Sequence, residues 1–223
     1  MKQLFDDIWQ TDTETPAPGL TTHAYLMKSA HGNVLFYNTG LKHEIEQMAS
    51  LGGVDYQYLS HEDELGESLN VIGERYGAKL AGHVNERETF SRIRTPDIFL
   101  QHAETHLGCI DIIPTPGHTP GSTCFLVRSA TGARYLFTGD TLYCGRGDQW
   151  RAGFIPDVHQ AAHCLQMAES LKLLRGLEPD VVFSSAFAGG AGYQKMSGGQ
   201  WRVIVEKAIR AMLEKADKLE RTA

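Results

Sequence analysis

The chain has 223 residues, of which 42% are hydrophobic, and its formal net charge is −6 at pH 7. This length and apolar content suffice for one large α/β domain with its own core, so residues 1–223 are predicted to form a single domain. The acidic balance, without any run of basic residues, argues against nucleic acid or an anionic membrane surface as a partner. A small molecule is the expected partner, and the oligomeric state stays open, with a homodimer as one possibility.

The four cysteines and the first residues bear on the compartment. No two cysteines form a C-x-x-C pair, which favours reduced thiols in a chain of this length. The chain begins M-K-Q-L-F-D-D without an apolar leader segment, and no stretch approaches the roughly 18 apolar residues of a membrane span. A cytoplasmic protein is therefore the expectation.

Eight short segments are predicted as strands, because β-branched, aromatic and leucine residues in them are bounded by turn-forming residues. In chain order they are residues 24–28, 34–37, 56–59, 79–82, 109–113, 123–127, 135–138 and 181–184. Early hairpins followed by strands that alternate with helices predict a layered α/β sandwich.

Three segments carry helical patterns, at residues 67–76, from Asp157 to Gly176, and at residues 200–219. The second follows a proline, and Asp157 and Gln160 have the spacing of a capping box. Its predicted apolar face comprises Val158, Ala161, Leu165, Ala168, Leu171 and Leu174. In this helix His159 and His163 would stand four residues apart, a spacing that can bind metal, but no further ligand is fixed near them.

The most specific motif is T-P-G-H-T-P-G-S at residues 115–122, directly after a predicted strand. Two prolines and two glycines force a tight, irregular turn, so the backbone aims the side chain of His118. A ligand to a metal ion needs such restraint. A second strand delivers the carboxylate of Asp140 at its carboxyl end, where open α/β sheets place their ligands.

Together these two segments resemble the metallo-β-lactamase superfamily. The resemblance implies that His118 is a metal ligand and that Asp140, which follows it by 22 residues, corresponds to the aspartate that bridges two metals in binuclear members. The run G-D-T-L-Y at residues 139–143, with Gly145 and Arg146 after it, is similar to the glyoxalase II branch. The implied fold is an αββα four-layer sandwich with the metal site at one edge between the two sheets.

The principal metal motif of that family, T-H-x-H-x-D-H, corresponds here to S-H-E-D-E-L-G at residues 60–66. His61 matches the first histidine. Without a gap, Asp63 takes the place of the second histidine, whereas a two-residue deletion aligns Asp63 with the aspartate of the motif. Both alignments stay open. The last family histidine corresponds to Ala186, which cannot bind metal.

The ungapped alignment leaves His61, Asp63 and His118 as one ligand set with Asp140 close by. Two imidazoles and a carboxylate with an open position are typical of catalytic zinc, and also of ferrous iron. One divalent metal is predicted, zinc first, with iron or manganese as alternatives.

The resemblance and this reduced ligand set imply a metal-dependent hydrolase of a small ester, thioester or related acyl compound. Asp140 or Glu64 would orient the attacking water and receive its proton. Tyr143, Arg146 and Ser185 are predicted to contact the substrate. Two alternatives remain: a binding or regulatory protein on the same fold without catalysis, and an iron-bound oxygenase or sulfur-metabolism enzyme of the superfamily.

Overall fold

The structure is a computed structural model and describes residues 1–222. Its strands are β1 (Lys2–Phe5), β2 (Ile8–Gln10), β3 (Glu14–Ala17), β4 (Leu20–Thr22), β5 (Tyr25–Met27), β6 (Val34–Phe36), β7 (Tyr56–Tyr58), β8 (Lys79–His83), β9 (Ile98–Leu100), β10 (Glu104–His106), β11 (Ile110–Pro114), β12 (Thr123–Arg128), β13 (Arg134–Gly139), β14 (Tyr143–Gly145), β15 (Gln149–Arg151), β16 (Val181–Ser184), β17 (Ala186–Phe187) and β18 (Tyr193–Lys195). Its helices are α1 (Lys42–Met48), α2 (Ser68–Tyr76), α3 (Arg87–Phe90), α4 (Ala161–Leu174) and α5 (Gln200–Thr222).

The strands form two large sheets and one smaller sheet. The first large sheet has the order β1-β2-β5-β6-β7-β8-β9, and its strands from β6 to β9 are parallel. The second has the order β10-β11-β12-β13-β16-β18, in which only the β13–β16 pair is parallel among the described strands. The smaller sheet, β15-β14-β17-β4-β3, contributes to the wall of the cavity described below.

The main core lies between the two large sheets and is built largely of aromatic rings. Phe36 of the first sheet stacks on Phe137 of the second at 3.8 Å between ring centroids, and Phe137 stacks on Phe183 at 4.7 Å. All three side chains are fully buried. Each such ring stabilises the fold by roughly 1.5–3 kcal/mol through removal of apolar surface from water.

Helices cover the outer faces of both large sheets. Leu171 of α4 and Trp201 of α5 share a buried cluster with Leu136 of the second sheet. On the opposite side, Leu69 of α2 and Phe90 of α3 pack in a small cluster with residues of the first sheet. The order of layers is therefore helix, sheet, sheet, helix, which confirms the predicted αββα sandwich.

The structure contains all eight predicted strands and the first and last predicted helices, with ends that shift by a few residues. The helix predicted from Asp157 is a correction, because α4 begins at Ala161. Asp157 has a φ of 65°, which lies in the left-handed region and prevents a helical start there. Gln160 and His163 form the capping box instead.

The shifted start also changes the face of α4 that packs on the sheet. Val158 lies before the helix and is 62% exposed, and Leu165 is 42% exposed. Cys164 and Met167 are buried in their place. Within residues 1–222, no helix is long and apolar enough to cross a membrane, and the four cysteines are unpaired.

Candidate metal centre

The candidate centre forms where several strand ends meet at one edge of the sandwich. His61 follows β7 and opens the single turn Glu62–Glu64, and Asp140 follows β13. Gly139 precedes that aspartate with a φ of 52°, and a Cβ added to it would lie 2.1 Å from Ser60 Oγ. Only glycine therefore lets the β13 end approach the β7 end this closely.

A chain of hydrogen bonds fixes the imidazole of His61. Ser60 Oγ donates to Glu64 Oε1 at 2.5 Å, and Glu64 Oε2 accepts from the backbone N–H of Ser60 at 2.8 Å. Because the hydroxyl proton is used in this way, Ser60 Oγ accepts from His61 Nδ1–H at 2.8 Å. In the neutral imidazole, which is the form that binds a metal, this assignment leaves Nε2 of His61 with its lone pair directed into the site.

His118 is oriented by a different partner to the same effect. Its Nδ1 lies 2.6 Å from the carbonyl oxygen of Gly153, which can only accept, so Nδ1 carries a proton. Within residues 1–222, Nε2 of His118 is buried and makes no hydrogen bond, and the carboxylate nearest to it is that of Asp63. A buried nitrogen without a partner is unfavourable, and a metal ion is one group that would satisfy it.

The two Nε2 atoms converge with two carboxylates. Asp63 Oδ2 lies 3.3 Å from Nε2 of His118 and 3.9 Å from Nε2 of His61. Asp140 Oδ2 lies 3.8 Å from both nitrogens. Ligands bound tetrahedrally at about 2.1 Å from one ion stand about 3.4 Å apart, so a small inward movement of these atoms would complete such a set.

The charges at this point favour a cation. Burial lowers the pKa of His61, but the carboxylates of Glu64, Asp140 and Asp63 outweigh that effect and raise it to about 10. The neighbouring imidazole of His118 holds the pKa of Asp63 below its usual range, against the opposing effect of burial. Positive charge is therefore stabilised where the four side chains meet.

The second carboxylate oxygen of Asp140 faces hydrogen-bond donors. Oδ1 accepts from Ser185 Oγ and from the backbone N–H of Ala186, each at 3.3 Å. Leu65 and Gly66 line the neighbouring cavity without offering a ligand atom. The structure groups Asp63 with His61 and His118, as the ungapped alignment does.

Glu64, predicted as a catalytic residue, lies behind His61 on its Nδ1 side, and its side chain is 6% exposed. In this place it orients the ring, and it also forms part of the cavity lining. Tyr143 and Ser185, predicted to contact substrate, line the cavity. Arg146 does not line it and lies beside Gly19 in the β3–β4 turn.

Three supporting residues were not predicted from the sequence. Ser60 fixes His61, and Gly153 accepts from His118 across 35 positions of the chain. A Cβ at Gly153 would lie 2.1 Å from the carbonyl oxygen of Asp140, so the position requires glycine. His159 Nε2 donates to the carbonyl oxygen of His118 at 2.8 Å. Only Ser60, directly before His61, carried a local signal.

The position of His159 corrects the expectation that it lies on the same helix as His163. It lies before α4, and its Nδ1 accepts from the backbone N–H of Ile155 at 2.9 Å. His163 Nδ1 accepts from the backbone N–H of Gln160 at 3.0 Å within the capping box. The two rings therefore support the loop and the helix start, and they do not share a helical face.

A cavity of about 1000 Å³ opens onto the four converging side chains. Its walls come from the β3–β4 hairpin, the loop before α1, the start of α2 and residues 153–155. A volume of this size accommodates a small organic molecule. The arrangement can hold a divalent ion at the base of a substrate cavity.

Structural comparison identifies similar folds with low sequence identity. A class B3 metallo-β-lactamase with an active-site glutamic acid superimposes with a TM-score of 0.67 at 16% identity, covering 91% of this chain and 89% of that chain. A Cronobacter sakazakii metallo-β-lactamase with an HARLDQ motif gives 0.66 at 17% identity, covering 96% of each chain. ETHE1 from Myxococcus xanthus gives 0.62 at 20% identity, covering 89% of this chain and 86% of that chain.

Sequence comparison gave no match among curated proteins. The glyoxalase II-like branch stays a prediction, because the structures above share the fold at identities too low to assign a branch. A sequence model of the metallo-beta-lactamase superfamily matches residues 36–186, which is more than half of the chain and includes all four converging side chains. The chain therefore belongs to the metallo-beta-lactamase superfamily.

Proposed function

We propose that this protein is a metal-dependent hydrolase of small esters, thioesters or related acyl compounds, with a single divalent ion. The observation that carries the proposal is the convergence of two histidine Nε2 atoms and two carboxylates, one of those nitrogens being buried and without a hydrogen bond among the described residues. The ligands would be His61, Asp63 and His118, which would leave one position of the ion open beside Asp140.

The chemistry of these donors fits a divalent transition metal. Two imidazole nitrogens with carboxylate oxygens suit zinc, and also ferrous iron or manganese. Zinc is the proposed ion, because three protein ligands of this composition with one open position are typical of catalytic zinc sites. Ser60, Glu64 and Gly153 hold the two imidazoles in the tautomer that a metal requires.

Hydrolysis joins a water oxygen to the acyl carbon and breaks the bond from that carbon to the leaving oxygen or sulfur. When bound, a divalent ion supplies Lewis acidity to this reaction. Asp140 supplies the proton acceptor: Ser185 and the N–H of Ala186 hold its Oδ1, which leaves Oδ2 to orient water and take its proton. That proton then passes to the leaving group.

A single ion is favoured over two by the residues on the far side of Asp140. Leu65, Gly66 and Ala186 offer no side-chain ligand there, and Oδ1 is already engaged by two hydrogen-bond donors. The lack of ligand atoms at Leu65, Gly66 and Ala186 also favours the alternative function, which is a binding or regulatory protein on this fold without catalysis.

Metal analysis and turnover together test the proposal. Protein purified without added metal should contain about one zinc, iron or manganese ion per chain, and should hydrolyse p-nitrophenyl esters or thioesters in a chelator-sensitive manner. About two tightly held ions per chain would contradict the single-ion site. Failure of zinc, iron and manganese to bind at micromolar concentration would contradict the enzyme and favour the binding protein.

A further inference from the structure

The cavity above the candidate metal centre has apolar walls. Leu20 of the β3–β4 hairpin, Leu41 and Ile45 near α1, Val71 of α2 and Phe154 all line it. These side chains come from distant parts of the chain and face a common space. An aliphatic or aromatic substituent would gain burial against them.

Apart from the histidines, the charged side chains that line this cavity are nearly all acidic. The carboxylates are Glu14, Asp63, Glu64, Glu67 and Asp140. Lys42 is the only lysine or arginine among the described residues that line it, and it is exposed. Arg146, whose guanidinium suits a carboxylate, lies outside the lining. Among residues 1–222, no arginine therefore lines these walls to pair with an anionic substituent.

A bound divalent ion would not reverse this balance. The three carboxylates of Asp63, Glu64 and Asp140 surround His61, and together they exceed the two positive charges of one ion. The base of the cavity would keep a net negative charge. A second anion brought into this space would be repelled, and the low dielectric of the apolar walls would strengthen the repulsion.

We propose that the substrates are neutral acyl compounds with an apolar acyl chain, and that the cavity discriminates against acyl chains that carry a carboxylate or phosphate. This proposal rests on the proposed hydrolase function for its catalytic test, although the binding preference stands on the cavity walls and charges alone.

A matched pair of esters tests the proposal by turnover. Phenyl butyrate and the phenyl monoester of succinic acid have acyl chains of equal length, which end in a methyl group and a carboxylate respectively. The metal-loaded protein should hydrolyse the butyrate with a kcat/KM at least about fivefold higher. Added salt should narrow the difference, because it screens the repulsion. Equal rates, or a preference for the succinate, would overturn the proposal.

A pair of ketones tests binding without turnover. Butyrophenone and 3-benzoylpropionate carry the same two chain ends on a carbonyl that cannot be hydrolysed. Ligand-observed NMR should detect binding of the neutral ketone and weaker binding of the anion. Inactivity toward both esters would contradict the hydrolase function only, whereas equal binding of both ketones would overturn the substrate class.

A charge added to the cavity wall sharpens both tests. Val71 is 46% exposed on α2 and lines the cavity, so Val71→Arg should raise kcat/KM for the succinate ester by about fivefold. Val203→Arg is the matched control, because Val203 is 66% exposed on α5, away from the cavity. Val203→Arg should change kcat/KM for the succinate ester by less than about twofold. An equal effect of both variants would show that cavity charge does not select the substrate.

Discussion

The two sides of Asp140 have opposite properties. Toward Oδ2 lie His61, Asp63 and His118, and the carboxylates there raise the pKa of His61 to about 10. Toward Oδ1 lies the segment that starts at Ser185, with His23 packed against it. Burial lowers the pKa of His23, which stacks on Phe187 at 4.9 Å.

Under the proposed function, this difference would let one carboxylate serve a single-ion site. The first side concentrates negative charge and stabilises a cation, whereas the second keeps a neutral imidazole and backbone or hydroxyl donors. The donors on the second side fix the plane of the Asp140 carboxylate, which a second ion would otherwise do in the proposed site.

Removing a ligand from the first side should have the largest effect. His118→Ala is expected to reduce the ion content to near zero and kcat/KM by more than about 100-fold, since partners of ligands alone contribute about 10- to 100-fold. Metal analysis and ester hydrolysis measure both, and circular dichroism monitors folding. His102→Ala removes an exposed histidine outside the centre and should change neither. Full retention of the ion in His118→Ala would refute the assignment of His118 as a metal ligand.

Weakening the hydrogen bonds that orient His61 should reduce metal binding less than the loss of a ligand does. Glu64→Gln replaces the acceptor of the Ser60 hydroxyl proton with an amide, so the orientation of His61 becomes less restrained. Metal affinity is expected to fall by about 10- to 100-fold, as measured by competition with a chromogenic chelator. Glu62→Gln, in the same turn, should leave the affinity unchanged. Similar losses in both variants would point to net charge and not to the hydrogen-bond chain.

Changing the second side should affect catalysis more than metal content. Ser185→Ala removes one of the two hydrogen bonds to Oδ1 of Asp140 and keeps the N–H of Ala186. We expect kcat/KM to fall by about three- to tenfold with one ion still bound. Ser184→Ala removes a neighbouring hydroxyl that donates to Gly192, and serves as the control. Loss of the ion in Ser185→Ala would mean that the hydrogen bonds to Oδ1 are also needed for metal binding on the Oδ2 side, which would contradict the distinction between the two sides.

The smallest expected effect concerns the pH dependence of stability. The pKa of His23 is lowered from 6.5 in the folded protein, so the unfolded chain binds more protons as pH falls through that value. Stability of the metal-free protein should therefore lose a contribution from His23 between pH 7.5 and 5.5. In urea unfolding, His23→Gln should reduce the loss of stability relative to wild type, and His102→Gln should not. An unchanged pH dependence in His23→Gln would refute a neutral His23.

Sequence patterns predicted the layered fold and the convergence of the four candidate ligands. Strand segments such as residues 135–138 were recognisable because a buried strand needs a continuous apolar run. The helix start at Asp157 was mispredicted because the left-handed backbone there depends on the surrounding loop, and a local capping pattern does not reveal it. Arg146 was associated with the site by nearness in sequence, which does not specify the direction of a side chain, and it does not line the cavity.

The sequence by itself determined which residues could turn the chain at His118 and Asp140, since proline and glycine restrict or free the backbone locally. It also determined that Ala186 offers no ligand, because that is a property of the side chain alone. Only the tertiary structure decided that Gly153 orients His118 and that Asp63 lies beside His61 and His118. Those contacts join segments distant in the chain, and their geometry follows from the packing of two sheets and not from any local pattern.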